Sequence, residues 1–193
     1  MNRAFIDSKN FKGIDFTKKH FEIADYELCT FENCNFSEMD LSGTSFVECE
    51  FDNCNLSMCK LNKTQFNEVV FHQCKLLGLQ FENCDPIFFE IEFNNSILNL
   101  SSFYQLDLKN VKMNSCSLHE VDFTESNLKA FYFNDCDLTK TIFERTILEK
   151  ADFRTAYNYS IDPENNHIQK AKFSQVGLEG LLHKYNIEVE NYL

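Results

Sequence analysis

In Phe31-Glu32-Asn33-Cys34-Asn35-Phe36-Ser37-Glu38-Met39-Asp40-Leu41 a large apolar residue returns at every fifth position, and the residue two places before Phe36 is a cysteine. The pattern extends both ways. Every fifth residue from Ile6 through Phe16, Phe46, Leu61 and Phe66 to Phe81 is large and apolar, and a second run does the same from Phe88 through Phe103 and Phe123 to Phe153. Seventeen of the 21 Phe occupy these centres. A period of five matches neither the 3.6 of a helix nor the 2 of a strand, and it would scatter these residues around a helix. A turn every five residues brings them together: four short sides make a square coil, the centres point inward, and stacked coils bury them as one core.

The position two before each centre tests this reading, because it should also point inward but with less room. Those positions include Ala24, Cys34, Thr44, Cys54, Val69, Ser96, Val121 and Ala151, and all nine Cys of the chain fall there, counting Cys84, which precedes Pro86 in the continued first register. The other three positions hold most of the Asp, Glu, Asn, Lys and Gln. The alternation is in, out, in, out, out. Small buried filler accounts for the cysteines. Cys29, Cys34, Cys49 and Cys54 lack the pair spacing of a structural zinc site, and their thiols should line interior columns rather than converge on a metal.

Segments such as Cys34-Asn35-Phe36-Ser37-Glu38, Cys54-Asn55-Leu56-Ser57-Met58 and Ala151-Asp152-Phe153-Arg154-Thr155 resemble the repeat of the pentapeptide-repeat proteins over about residues 4–155. The resemblance implies an all-β fold, a right-handed quadrilateral parallel β-helix. Thirty repeats would make about 7.5 coils and a rod of roughly 36 Å. Residues 1–155 are read as this β-helix, with a register slip at 82–92 around Pro86, a bulge or a functional loop. Residues 156–193 are read as a connector, a last partial coil and a small C-terminal α-helical cap. Leu178, Leu181, Leu182 and Tyr185 follow at helical spacing, and Ile187 and Val189 alternate with acids as in a short strand.

The ending, Ile161-Asp162-Pro163-Glu164-Asn165 with Gly177 and Leu181-Leu182, resembles the gyrase-interacting branch of that family, which includes the Qnr, MfpA and microcin-immunity proteins. The resemblance implies a homodimer through Leu178, Leu181, Leu182, Tyr185, Ile187 and Val189, and a protein partner, DNA gyrase or topoisomerase IV. Two rods end to end would reach roughly 70 Å, the length of about 20 base pairs. Long loops projecting from the repeats, found in several Qnr proteins, are missing from residues 6–153.

Acids outnumber bases 30 to 18, a formal charge of −12, which argues against direct contact with nucleic-acid phosphates or anionic lipid. No run of about 18 apolar residues suggests a membrane span. The start lacks the apolar core of a signal peptide, and nine Cys without one suggest the cytoplasm. No cofactor is expected: five Gly leave little for a phosphate cradle, and the five His show no ligand spacing. A filled core offers no pocket for catalysis, so a non-enzyme is expected. From His20 to Cys59 there are nine acids and no Lys or Arg. With coils of 20 residues, Asp25, Glu27, Glu48, Glu50, Asp52 and Glu68 should lie on two adjoining faces, where like charges one rung apart repel. An acidic patch of this kind on a duplex-sized rod fits a DNA mimic that occupies a basic groove. An interaction scaffold for another protein is the alternative.

Overall fold

The computed structural model describes residues 3–87 and 89–188. They form a parallel β-solenoid with four faces. The first face is a four-stranded sheet of β1 (Phe5–Asp7), β3 (Asp25–Glu27), β5 (Ser45–Val47) and β7 (Gln65–Asn67). The second is a seven-stranded sheet of β2 (Asn10–Lys12), β4 (Thr30–Glu32), β6 (Glu50–Asp52), β8 (Val69–His72), β9 (Ile91–Asn94), β10 (Val111–Asn114) and β11 (Phe133–Asn134). The other two faces are ladders of single bridges. One climbs eight rungs through Asp15, Asn35, Asn55, Lys75, Ile97, Ser117, Asp137 and Tyr157.

The five-residue turn has a specific backbone cause. The second residue after most centres takes a left-handed conformation: Leu28 at φ 51°, Asn33 at 53°, Glu38 at 62°, Gly43 at 74°, Glu48 at 50°. A left-handed residue bends the strand sharply and ends it after about three residues. Glycine does this freely, and a residue with a Cβ resists it by roughly 1–2 kcal/mol. The core offsets that cost. Phe31, Phe36, Phe46, Phe51, Phe66 and Phe71 are at most 1% exposed. Along a face the rings stack, as Phe31 on Phe51 at 4.7 Å and Phe51 on Phe71 at 4.9 Å. Around a corner they meet edge to face, as Phe31 and Phe36 at 5.5 Å and 72°.

The inward position two before each centre does more than fill space. Its thiol or hydroxyl donates to the carbonyl of the centre 23 residues earlier. Cys54 donates to Phe31 O at 3.1 Å, Cys59 to Phe36 O at 3.0 Å and Thr64 to Leu41 O at 2.9 Å. All nine Cys are free and buried. Burial pushes the Cys49 and Cys59 thiols up to about 12, so they stay protonated at neutral pH. Among the described residues no group of three His, Cys, Asp or Glu could hold a metal.

At the slip the register lengthens from 20 to 22 residues, pairing Val69 with Ile91 and Phe71 with Phe93, and then returns to 20 with Ile91 beside Val111. The extra residues form a 3-10 turn at Phe81–Asn83 and a bulge that leaves Ile87 60% exposed. Asp85 closes it, accepting from Gln65 Nε2 at 3.1 Å and from Ile87 N at 2.9 Å. The first-face sheet stops beneath it, at β7. The expected centre Phe88 lies outside the described residues; its neighbour Phe89 is buried, edge-on to Phe81 at 6.3 Å.

The last partial coil forms as expected, with Phe173 stacked on Phe153 at 5.2 Å. The expected α-helix does not. Val176–Leu181 and His183–Tyr185 are 3-10 turns, and Ile187 is in no strand. Val189 lies outside the described residues. The reason is Tyr159, 3% exposed, which presses against both Gly177 and Gly180. Three residues per turn place positions i and i+3 directly above one another, so both glycines face the ring squarely; an α-helix would offset them by about 60°. Gly180→Ala is therefore expected to unseat the tail. The new Cβ would collide with the Tyr159 carbonyl oxygen and lie 2.7 Å from its ring. A loss of about 1–3 kcal/mol should be confined to the cap. Hydrogen exchange should show protection falling in 176–185 and unchanged in the coils; unchanged protection throughout would refute the packing argument.

Candidate protein-interaction surface

The six acids singled out by the coil arithmetic do lie on two adjoining faces. Asp25 and Glu27 flank Tyr26 in β3, and Glu50 and Asp52 flank Phe51 in β6. Glu48 and Glu68 occupy the corner between these faces, at φ 50° and 54°. They sit one rung apart, since Glu48 N donates to Asn67 O at 2.9 Å. Stacking of like charges is realised as well, with Asp7 paired to Glu27 and Glu32 to Asp52.

The acids are not equivalent. Asp25 is tied to Arg3 Nε at 2.9 Å, and Glu32 to Lys12 from the rung below, which holds the Glu32 carboxyl below its usual range. Among the described residues no ion pair involves Glu27, Glu48, Glu50, Asp52 or Glu68. In the C-terminal half, by contrast, opposite charges alternate between rungs. Lys112 meets Glu92 at 3.3 Å, Lys129 meets Glu149 at 2.9 Å and Arg145 meets Glu125 at 2.7 Å. Each exposed pair contributes little to stability, but together they pair off part of the acidic charge of that half. Asp137 and Asp152 are held by His119, Thr139 and Asn158 and by Arg154 and Lys172.

The sequence reading missed a change of sign along these two faces. Below the slip they comprise residues 4–12, 24–32, 44–52 and 64–72, with eight Asp or Glu against two Lys. Above it they comprise 106–114, 126–134, 146–154 and 166–174, with three Asp or Glu against seven Lys or Arg. The signal was available by continuing the 20-residue register across the two inserted residues.

The tail carries a second surface. Leu181 packs on the core and Leu182 is half-buried, while Leu178, Tyr185 and Ile187 are exposed. Val176, not singled out in the sequence, is 90% exposed. The cap is anchored by Lys184, whose Nζ lies 2.7 Å from Asp162 and 2.8 Å from Glu164, and by the Tyr185 hydroxyl on Glu164 at 3.1 Å. Lys184 lowers both carboxyls from ordinary values of 3.8 and 4.5. Groups lowered on folding stabilise above their ordinary values and lose that contribution as pH falls through the lowered ones. The tail should therefore stay docked at pH 6 and loosen below about pH 4, ahead of the coils. Tyr185 ring resonances followed in an acid titration check this; resonances that shift only with global unfolding would count against it.

No described helix is long and apolar enough to cross a membrane. A family model for the pentapeptide repeat region matches residues 79–153, and one for eight copies of the repeat matches 27–57 and 49–85. No curated protein matches the chain. Among solved structures, a trypsin-treated form of QnrB1, described as a plasmid-mediated fluoroquinolone resistance protein, aligns with a TM-score of 0.54 at 17% identity, covering 95% of this chain and 100% of that one. HetL, a pentapeptide repeat protein involved in heterocyst differentiation regulation from the cyanobacterium Nostoc sp. strain PCC 7120, aligns with a TM-score of 0.51 at 15% identity, covering 88% and 87%. At these identities the likeness is one of fold.

Proposed function

Because the chain belongs to the pentapeptide-repeat family, we propose that it is a non-catalytic protein-binding rod whose acidic faces stand in for DNA on a type II topoisomerase. The partner would be DNA gyrase or topoisomerase IV, shielded from a toxin or a quinolone-type drug. The observation that carries this reading is the set of carboxylates at Glu48, Glu50, Asp52 and Glu68, all exposed, with half-buried Glu27, which no cation neutralises among the described residues; Glu48 and Glu68 sit one rung apart. Such a surface attracts a basic DNA-binding groove and speeds encounter with it. The described role of QnrB1 in fluoroquinolone resistance, on the same fold, supports the choice of partner. The apolar residues exposed on the tail, Leu178, Tyr185 and Ile187 with Leu182 at their edge, support a homodimer through that segment. The reading requires no cofactor and no direct contact with nucleic acid or membrane, and it places the protein in the cytoplasm.

A supercoiling assay with purified gyrase and topoisomerase IV, with and without a fluoroquinolone, tests it. Rescue of supercoiling, or direct inhibition by added protein, is expected; no binding to either enzyme at micromolar protein would overturn it. The change of sign above the slip favours a second reading, since duplex DNA is negative along its whole length. In that reading the rod is an interaction scaffold for a partner other than a topoisomerase.

A further inference from the structure

The sign change gives the two faces a property that neither reading needs: they are complementary to themselves. Along the second face, successive rungs carry Glu50, Val70, Glu92, Lys112, Tyr132, Asp152 and Lys172. A half-turn about the Lys112 rung brings Glu50 opposite Lys172. The corner column obeys the same operation, because the corners stack rung on rung: Glu48 falls opposite Lys170, and Glu68 opposite Lys150. All six of these residues are exposed, and among the described residues only Lys172 has an ion partner, Asp152 at 3.8 Å. On the second face and its corner the one like-charge meeting, Lys112 on its own copy at the axis, is neutralised by Glu92 on each side.

We propose that these faces bind a second copy of this chain, side by side and antiparallel, with the acidic half of each rod on the basic half of the other. Twofold symmetry doubles the three ion pairs to six, since residue i meets j and j meets i. The contact spans six rung intervals, about 29 Å. Near its middle, where acid gives way to base, lies a mostly polar cleft of about 190 Å³ between Glu68, Val70, Glu90, Glu92, Asn110 and Lys112, with Val69 and Ile91 buried beneath it. Both copies carry a net charge of −12, but charges more than about 8 Å apart are largely screened at physiological salt, so the facing pairs decide. This assembly is distinct from an end-to-end dimer through the tail. It would cover Glu48, Glu50 and Glu68, so self-association would compete with any partner that needs them. The proposal does not depend on what that partner is.

Two charge-reversed variants of the full chain test it: E48K/E50K/E68K, basic at all six contact positions, and K150E/K170E/K172E, acidic at all six. Circular dichroism checks that each folds. Each alone should self-associate at least tenfold more weakly than the native chain at about 50 mM salt, while an equimolar mixture should form heterodimers, lost at about 500 mM salt. In the native chain, a zero-length carbodiimide should link Glu48 to Lys170 between two molecules, a pair too far apart to join within one. Equal association among all combinations at both salt concentrations, as a tail dimer would give, or no heterodimer in the mixture, overturns the proposal.

Discussion

Reversing Glu48, Glu50 and Asp52 together to lysine is expected to weaken gyrase binding about a hundredfold. These three are exposed and have no cationic partner among the described residues, so no internal pair breaks and the fold should tolerate the change. Losing three favourable contacts at about 1 kcal/mol each, with added repulsion from the new cations, amounts to at least about 3 kcal/mol, or roughly two decades in Kd. A matched variant separates patch from net charge. Reversal of Glu38, Asp135 and Glu144 makes the same change in total charge at exposed positions off these faces. That variant should lose less than about fivefold, mostly in association rate and salt dependence. Binding is best measured by interferometry at protein concentrations low enough to keep the rods from pairing side by side, alongside supercoiling. Equal losses in the two variants would leave only nonspecific attraction and remove the patch from the mechanism.

How far the fold and this patch can be read from sequence depends on which features have a periodic signature. The columns do: Phe31, Phe51 and Phe71 fall at a spacing that only a closed coil explains, and the acids at 48, 50, 52 and 68 follow from the same arithmetic. The corners do not. Left-handed positions held by Leu28, Glu38 and Glu48 look like ordinary polar or apolar residues, because tertiary packing rather than local preference puts them there. The tail misled for a related reason. Leu178, Leu181, Leu182 and Tyr185 have helical spacing, but Gly177 and Gly180 are read correctly only once Tyr159 is known to lie beneath them. The role of the cysteines was half legible: their inward position follows from the period, while their donation to carbonyls 23 residues earlier is visible only in the coil geometry. Lys150, Lys170 and Lys172 are not legible from local sequence, because they align with the acidic columns only when the 20-residue register is carried across the two residues inserted at the slip.

Phe51→Ala is expected to be the most damaging single substitution in the coil, at about 3–5 kcal/mol. Phe51 has no exposed surface, stacks between Phe31 at 4.7 Å and Phe71 at 4.9 Å, and meets Phe46 edge-on at 5.3 Å. The usual remedy for a cavity, collapse of the surroundings, is closed here. Rung spacing is fixed by the parallel ladder, so Phe31 and Phe71 cannot approach each other without breaking the pairing of β4, β6 and β8. Phe11→Ala removes the same side chain from the same column at the end of the rod. Phe11 is half-buried, with Phe31 stacked on one side at 4.8 Å. Its loss should cost no more than about half as much, because part of the ring already faces water. The two should also differ in kind. In a solenoid each rung leans only on its neighbours, so a defect at the end frays one coil while a defect in the middle uncouples the halves. Urea denaturation followed by far-ultraviolet circular dichroism should give Phe11→Ala a single, slightly earlier transition, and Phe51→Ala an earlier and broader one. Equal midpoints for the two variants would mean that the rod relaxes around the cavity, and that the ladder is softer than its register implies.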